Sequence, residues 1–342
     1  MPSLKNRSIR VALSPSCNLN CVYCDGPQGR EPDKHGAMED FRSKPLSSGV
    51  IEAETYIKII KALYLSGFTG VTFTGGEPFL NPDLDVIINK VKDLGISNVG
   101  ITTNGMMLDG YIQRNGHLPS GLTLLTISLD TIDPVEFRKI TRNGNFKKIV
   151  KGLKAVKKNN PLLTIRANKV ILRSTINSLP GYIEFCENNN INEVNFLNLI
   201  LKNPHEKSFF EKEFVSSQEV LEYLNAKAKY NFILDDKYEF QTILPSGLRI
   251  ILKDTNQTLR NSLCNKCPIY CQEGYFTVRV ATDGTISTCP DYNNKLPYID
   301  GPLELKNGVL QQKMGYLARV LISTEMENTL EAFFEKKGIS LK

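Results

Sequence analysis

The sequence predicts an α/β fold, a partial (β/α)6 TIM-like barrel followed by a small C-terminal α+β domain. Three observations predict it. Short apolar runs alternate with helical patterns up to about residue 200, and polar or glycine-bearing segments close several of those runs. Beyond residue 200 the alternation stops, and hairpin-like, cysteine-rich sequence continues to about residue 300. The expected division is 1–205 for the barrel and 206–342 for the second domain.

The candidate strands are Ile9–Leu13, Val71–Thr74, Asn98–Thr103, Leu124–Leu129, Leu163–Leu172 and Val194–Ile200. Helical patterns lie between most of them, at Ala53–Ser66, Leu84–Leu94, Pro134–Ile140 with Phe146–Lys158, and Pro180–Asn190. Pro134 and Pro180 suit a first helical turn, where the missing N–H has no intrahelical partner to lose. Repeated strand–helix units imply parallel strands joined by right-handed crossovers. After the charged stretch Asn203 to Glu213, a helix is expected near Ser217–Lys229, and Asp283-Gly284 between β-prone runs signals a hairpin turn.

Composition sets the class. The 342 residues are 41% hydrophobic and 23% charged, ordinary for a globular protein. Lys and Arg number 42 against 36 Asp and Glu, a formal charge of +6. That modest, scattered excess suits an anionic small molecule better than a nucleic-acid partner. Met1 to Ser8 lacks the apolar core of a signal peptide, and no apolar run approaches a membrane span. The expectation is a cytoplasmic protein with no membrane partner. In a reducing compartment, clustered cysteines point to metal or redox chemistry rather than disulfides.

Three of the eight cysteines fall within "CNLNCVYC", at Cys17, Cys21 and Cys24. Their spacing would also place three thiols on one helical face. Pro15, Asn18, Asn20 and the Asp25-Gly26-Pro27 stop argue instead for a loop leaving the first strand. Zinc would want four ligands, and neither a fourth cysteine nor a histidine lies nearby before His35. An iron–sulfur cube normally takes four thiolates, so three leave one iron open to an exogenous ligand.

A Cys-x3-Cys-x-aromatic-Cys loop after the first strand of such a barrel resembles the signature of the radical S-adenosylmethionine superfamily. The resemblance implies a [4Fe–4S] cluster on Cys17, Cys21 and Cys24. Its open iron would chelate S-adenosylmethionine, and an external one-electron reductant such as flavodoxin or ferredoxin would drive cleavage to a 5′-deoxyadenosyl radical. Tyr23 would shield the cluster and border the adenine. "TGGEP", with Gly75, Gly76 and Glu77, is similar to the family's segment against the methionine amino group. Thr103 in "TTNG", Ser128 in "SLD", and Asn168 and Arg173 on or after the fifth strand resemble further cofactor-contacting positions.

Cys264, Cys267 and Cys271 precede "GYFTVRVATDGTISTC", which ends in Cys289. The spacing alone fits a zinc clip across a hairpin. Beside the first cluster it resembles the auxiliary [4Fe–4S] domain of the molybdopterin-biosynthesis GTP cyclase-like group. The likeness extends through "TGGEPFLNPDL", "ISLDTIDPVEFRKIT" and "NKVILRSTIN". Four cysteines rather than three leave Cys267 and Cys271 competing for one place if only three ligate. Cys186 reads as core packing.

The departures are specific. Thr72 stands where that group carries a basic residue before "TGGEP", and Asn195 and Asn198 stand where it carries Arg and Glu. Losing two charge-assisted contacts at ~1.5–3 kcal/mol each would weaken a shared ligand by roughly two to four decades. Arg10, Arg166, Lys169 and Arg279 remain as candidates to hold an anionic substrate. The resemblance therefore implies hydrogen abstraction from a small molecule, a nucleotide or nucleoside in a specialised pathway. Its alternatives are a peptide-modifying enzyme (epimerisation or cross-link formation) and a divergent GTP cyclase.

Overall fold

The computed structural model describes residues 8–24, 49–65, 68–200, 207–228, 230–234, 239–253, 277–284, 286–287, 305–306 and 309–310. Six parallel strands form its centre: β1 (Ser8–Ala12), β2 (Gly70–Thr74), β3 (Asn98–Thr103), β4 (Leu124–Ser128), β5 (Thr164–Ile171) and β6 (Glu193–Asn198). The crossovers carry helices α1 (Ala53–Leu65), α2 (Leu84–Asp93), α3 (Leu108–Asn115), α4 (Pro134–Thr141), α5 (Phe146–Asn159) and α6 (Leu179–Asn188). Every expected strand edge lies within two residues of the observed one. The mixed α/β architecture is that of a TIM-like partial barrel.

Residues after 205 extend the same sheet at both edges. They form α7 (Lys207–Glu213), α8 (Ser217–Ala228), β7 (Ile233–Leu234), β8 (Glu239–Ile243), β9 (Arg249–Lys253), β10 (Thr277–Val280) and β11 (Ile286–Ser287). β9 pairs parallel to β6, and β10 pairs parallel to β1, so the sheet order is β11-β10-β1-β2-β3-β4-β5-β6-β9-β8-β7. The hairpin signalled by Asp283-Gly284 is present between β10 and β11, with Gly284 at φ +82°.

Alternation along each strand separates two faces. Ile9, Val11, Val71, Phe73, Val99, Ile101, Leu125, Ile127, Ile165 and Ala167 are buried and join the helices in one core. Their neighbours on the other face include Arg10, Thr72, Thr126, Arg166, Asn168 and Asn195. Burying each large aliphatic chain stabilises the fold by roughly 1.5–3 kcal/mol. That core makes the barrel a rigid support for the loops at its strands' C-terminal ends.

Two helices lie outside the expected patterns. α3 has only Leu108, Tyr111 and Ile112 buried around a central Gly110, too few apolar positions to show a clear period. α7 falls in the charged stretch. Its Phe209 and Phe210 pack with Phe214 on Ile140, Leu172 and Leu199, and the Glu213 carboxylate accepts the Ser174 N–H at 3.0 Å.

Candidate active site

The chain leaves β1 and runs beside the exit of β2. Leu13 N–H donates to Thr74 O at 2.8 Å, Gly76 N–H to Ser14 O at 2.7 Å, and Glu77 N–H to Ser16 O at 2.8 Å. Gly75 adopts φ +133°, and a Cβ there would lie 2.7 Å from Ser14 O. A Cβ on Gly76 would lie 2.0 Å from Ser16 O. Both glycines are therefore needed for the close approach of the cysteine loop itself.

The loop is fastened on its other side by α4 and the turn after it. Asn20 N–H donates to Thr141 O at 3.3 Å and Val22 N–H to Ile140 O at 2.9 Å, satisfying carbonyls that the end of α4 leaves without helical partners. Asn143 Nδ2 donates to Asn18 O at 2.8 Å. Asn104, at the end of β3, donates through Nδ2 to Asn18 Oδ1 at 2.6 Å and to Cys17 Sγ at 3.6 Å. Leu19 N–H also donates to Cys17 Sγ, at 3.4 Å.

Cys17, Cys21 and Cys24 are half-buried free thiols. Burial pushes the Cys17 thiol up to about 12, with Glu77 and Cys24 adding to the rise. Cys21 is raised well above its ordinary value by burial and then by Cys24, Asp130 and Cys17. What lowers them is hydrogen bonding from backbone and amide groups, not a cation. Three thiols that repel one another's charge suit a cationic iron core, which would displace their protons. Among the described residues no three such side chains converge to hold a single metal ion. A four-iron cube makes no such demand, because each thiolate binds a separate iron.

Glu77 is fully buried. Its carboxylate accepts from Thr103 Oγ1 at 2.7 Å, Asn104 N–H at 2.9 Å and Phe79 N–H at 3.2 Å. Burial raises its pKa to about 7, and those three donors oppose the rise. Thr103 thus turns toward Glu77 and helps to orient it; it does not face the barrel interior. Ser128 and Asn168 stand in register on that interior face, where Asn195 Nδ2 donates to Asn168 Oδ1 at 3.1 Å.

The basic candidates separate. Arg10 and Arg279 are paired in register on β1 and β10, with Thr72 on the other side of Arg10. Arg166 sits near the start of β5 and donates through Nε to Glu193 Oε2 at 2.7 Å. Arg249 joins the same carboxylate at 3.6 Å. Arg166 and Arg249 lie near the starts of β5 and β9 and share Glu193, so Arg166 knits strands together. Lys169 shares the helix-facing side of β5 with Ile165, Ala167 and Ile171, is fully buried, and donates to the Asp130 carbonyl and to Thr175 Oγ1. Arg173, just after β5, donates to Phe214 O at 2.9 Å and pairs with Glu219 at 3.0 Å. Cys186 is buried, and Cys264, Cys267, Cys271 and Cys289 lie outside the described residues.

Residues 11–167 match the Radical SAM superfamily. That segment, which runs from β1 into β5 and carries the three-cysteine loop, is a radical SAM domain. Such a domain implies one [4Fe–4S] cluster and S-adenosylmethionine, and the zipped cysteine and "TGGEP" loops fit that pair. A protein of Methanococcus maripaludis named probable GTP 3′,8-cyclase is 34% identical over 181 residues, 53% of this chain and 55% of the relative. The chain thus spans about half the length of that curated relative. One of the same name from Saccharolobus solfataricus is 27% identical over 281 residues, 82% of each. Streptococcus suis SuiB bound to precursor peptide SuiA superposes with TM-score 0.59 at 16% identity, covering 91% of this chain and 64% of SuiB. Native anSMEcpe with bound AdoMet gives 0.57 at 13%, covering 94% and 83%. These radical SAM structures share the fold. Among the described residues no helix is long and apolar enough to cross a membrane.

Proposed function

We propose that this protein cleaves S-adenosylmethionine reductively and takes a hydrogen atom from a small anionic substrate, a nucleotide or nucleoside derivative. The observation that carries the reading is the two-loop zipper that places Cys17, Cys21 and Cys24 beside Glu77 at the C-terminal ends of β1 to β3, where barrel active sites form. When bound, the cluster and S-adenosylmethionine supply a 5′-deoxyadenosyl radical for one electron taken up from an external donor.

The chain's own residues do the rest. Cys17, Cys21 and Cys24 hold the cluster. Glu77 presents a carboxylate to the methionine ammonium, with Thr103 and Asn104 fixing its direction. Ser128 and Asn168 line the interior toward the nucleoside. The register pair Arg10 and Arg279 supplies two adjacent guanidinium groups for an anionic substrate. Cys264, Cys267, Cys271 and Cys289 would hold the second, auxiliary cluster.

GTP cyclisation is the second reading, favoured by the names of the curated relatives. Two positions weigh against an identical GTP site. Asn195 is bonded to Asn168, and Asn198 accepts from Ser217 Oγ at 2.8 Å and donates to Val215 O at 2.9 Å. Anaerobic reconstitution followed by 5′-deoxyadenosine measurement tests both. Stimulation by GTP with a GTP-derived product selects the cyclase. Stimulation by other nucleotides selects the broader reading, and no cleavage under any reducing condition overturns both.

A further inference from the structure

Behind the cysteine loop lies a buried chain of polar groups to which the proposed reaction assigns no role. Tyr23, between Cys21 and Cys24, donates its hydroxyl to Asp130 Oδ2. Asp130 Oδ1 accepts the Val170 N–H at 2.8 Å, so both carboxylate oxygens act as acceptors, as they do in an ionised group. Asp130 is 4% exposed and Lys169 0%. The Lys169 ammonium reaches the Asp130 backbone carbonyl, lies 3.3 Å from Thr175 Oγ1 and stands 5.1 Å from the centre of the Tyr182 ring. Tyr182 in turn donates its hydroxyl to Leu129 O at 2.8 Å, one residue before Asp130.

Packing alone does not account for a lysine here. A methionine would fill the same apolar face without desolvating a charge, and desolvation of one ion costs several kcal/mol. The chain sets that cation against an aspartate whose other contact is the cysteine loop. Asp130 is also close enough to raise the Cys21 thiol by its charge.

We propose that Asp130 and Lys169 form a buried charge pair that, through Tyr23, positions the cysteine loop and sets the reduction potential of the cluster it holds. They act through Tyr23 and are positioning residues. The inference rests on the assignment of Cys17, Cys21 and Cys24 as ligands. Net charge around an iron–sulfur cluster is one of the protein's controls on its potential. A carboxylate nearby opposes the arriving electron and makes the reduced cluster a stronger donor, and the ammonium behind it tempers that effect.

The test is a reductive titration followed by electron paramagnetic resonance on the full chain, reading the signal that changes when S-adenosylmethionine is added. Asp130→Asn should move the midpoint to higher potential and Lys169→Met to lower potential. The double variant should return toward the parent value. Tyr23→Phe keeps the ring and removes the hydroxyl. It should retain its iron and broaden or shift the S-adenosylmethionine-induced signal. Shifts of one sign in both charge variants, or none in either, would overturn the proposal while leaving the ligand assignment standing. If Lys169→Met does not fold, the sign of the Asp130→Asn shift decides. A responsive signal that persists in Cys21→Ala would remove the ligand assignment and the proposal together.

Discussion

Gly76 approaches Ser16 so closely that a Cβ at position 76 would lie 2.0 Å from the Ser16 carbonyl oxygen. This contact joins the "TGGEP" segment to the cysteine loop, 60 residues earlier in the chain by residue number. Gly76→Ala must therefore push the two strand exits apart and break the hydrogen bonds from Gly76 to Ser14 and from Glu77 to Ser16. The expected stability loss is about 1–3 kcal/mol from overpacking. Iron held by the first site should fall together with 5′-deoxyadenosine formation, as iron analysis after reconstitution will show.

Glu77 predicts a pH signature. Its folded pKa of about 7 lies above its ordinary 4.5, so the folded state binds the proton more tightly than the unfolded state. Its contribution is most favourable below about pH 4.5 and falls as pH rises toward 7, by on the order of 3 kcal/mol in total. Glu77→Gln should remove that slope. Urea unfolding of both apo proteins across pH 4.5 to 8 checks it, because the variant disturbs the Asn104 bond equally at every pH.

Arg166 and Arg10 should separate cleanly. Arg166→Met leaves Glu193 without its best partner and is expected to cost about 1.5–3 kcal/mol of stability. It should leave 5′-deoxyadenosine formation unchanged at temperatures where the protein stays folded. Arg10→Met should raise the KM for an anionic substrate at least tenfold, an effect absent from Arg166→Met.

The auxiliary cluster is a matter of counting. Full reconstitution should give roughly eight irons per chain, the number in two four-iron cubes. Cys289→Ala should bring the count to about four and keep S-adenosylmethionine cleavage in the absence of substrate. A plateau at four irons with one zinc in the unaltered protein would assign the second cysteine group to a structural clip.

Much of the scaffold was legible. β3 at Asn98–Thr103 coincides with its apolar run, and Pro134 opens α4 behind Asp133, whose carboxylate accepts from Val135 and Glu136 at 2.8 and 2.7 Å. These signals are local, carried by alternation, proline and a capping side chain. α3 escaped because its eight residues bear three buried apolar positions and a glycine. Only packing against α5 makes such a weak pattern helical.

The site divides along the same line. Charge alone suggests Lys169 as an anion holder, whereas the alternation Ile165, Ala167, Lys169, Ile171 assigns it to the apolar face. Asn143 gave no signal, since nothing near it in sequence marks a loop that will meet Asn18. Asp130 follows the end of β4, and its contact with Tyr23 spans 107 positions.

The sequence by itself determined the spacing of Cys17, Cys21 and Cys24, the glycine pair after β2 and the order of strands and helices. Neighbours along a chain are held by covalent geometry whatever the rest of the protein does. Only the tertiary structure decided what those groups face. It brought Gly76 under Ser16, turned Thr103 to Glu77, spent Arg166 and Arg173 on ion pairs, and buried Lys169 behind Asp130. Each of those outcomes depends on register and crossover packing, where distant segments meet and a buried polar group must take whatever partner the closed fold provides.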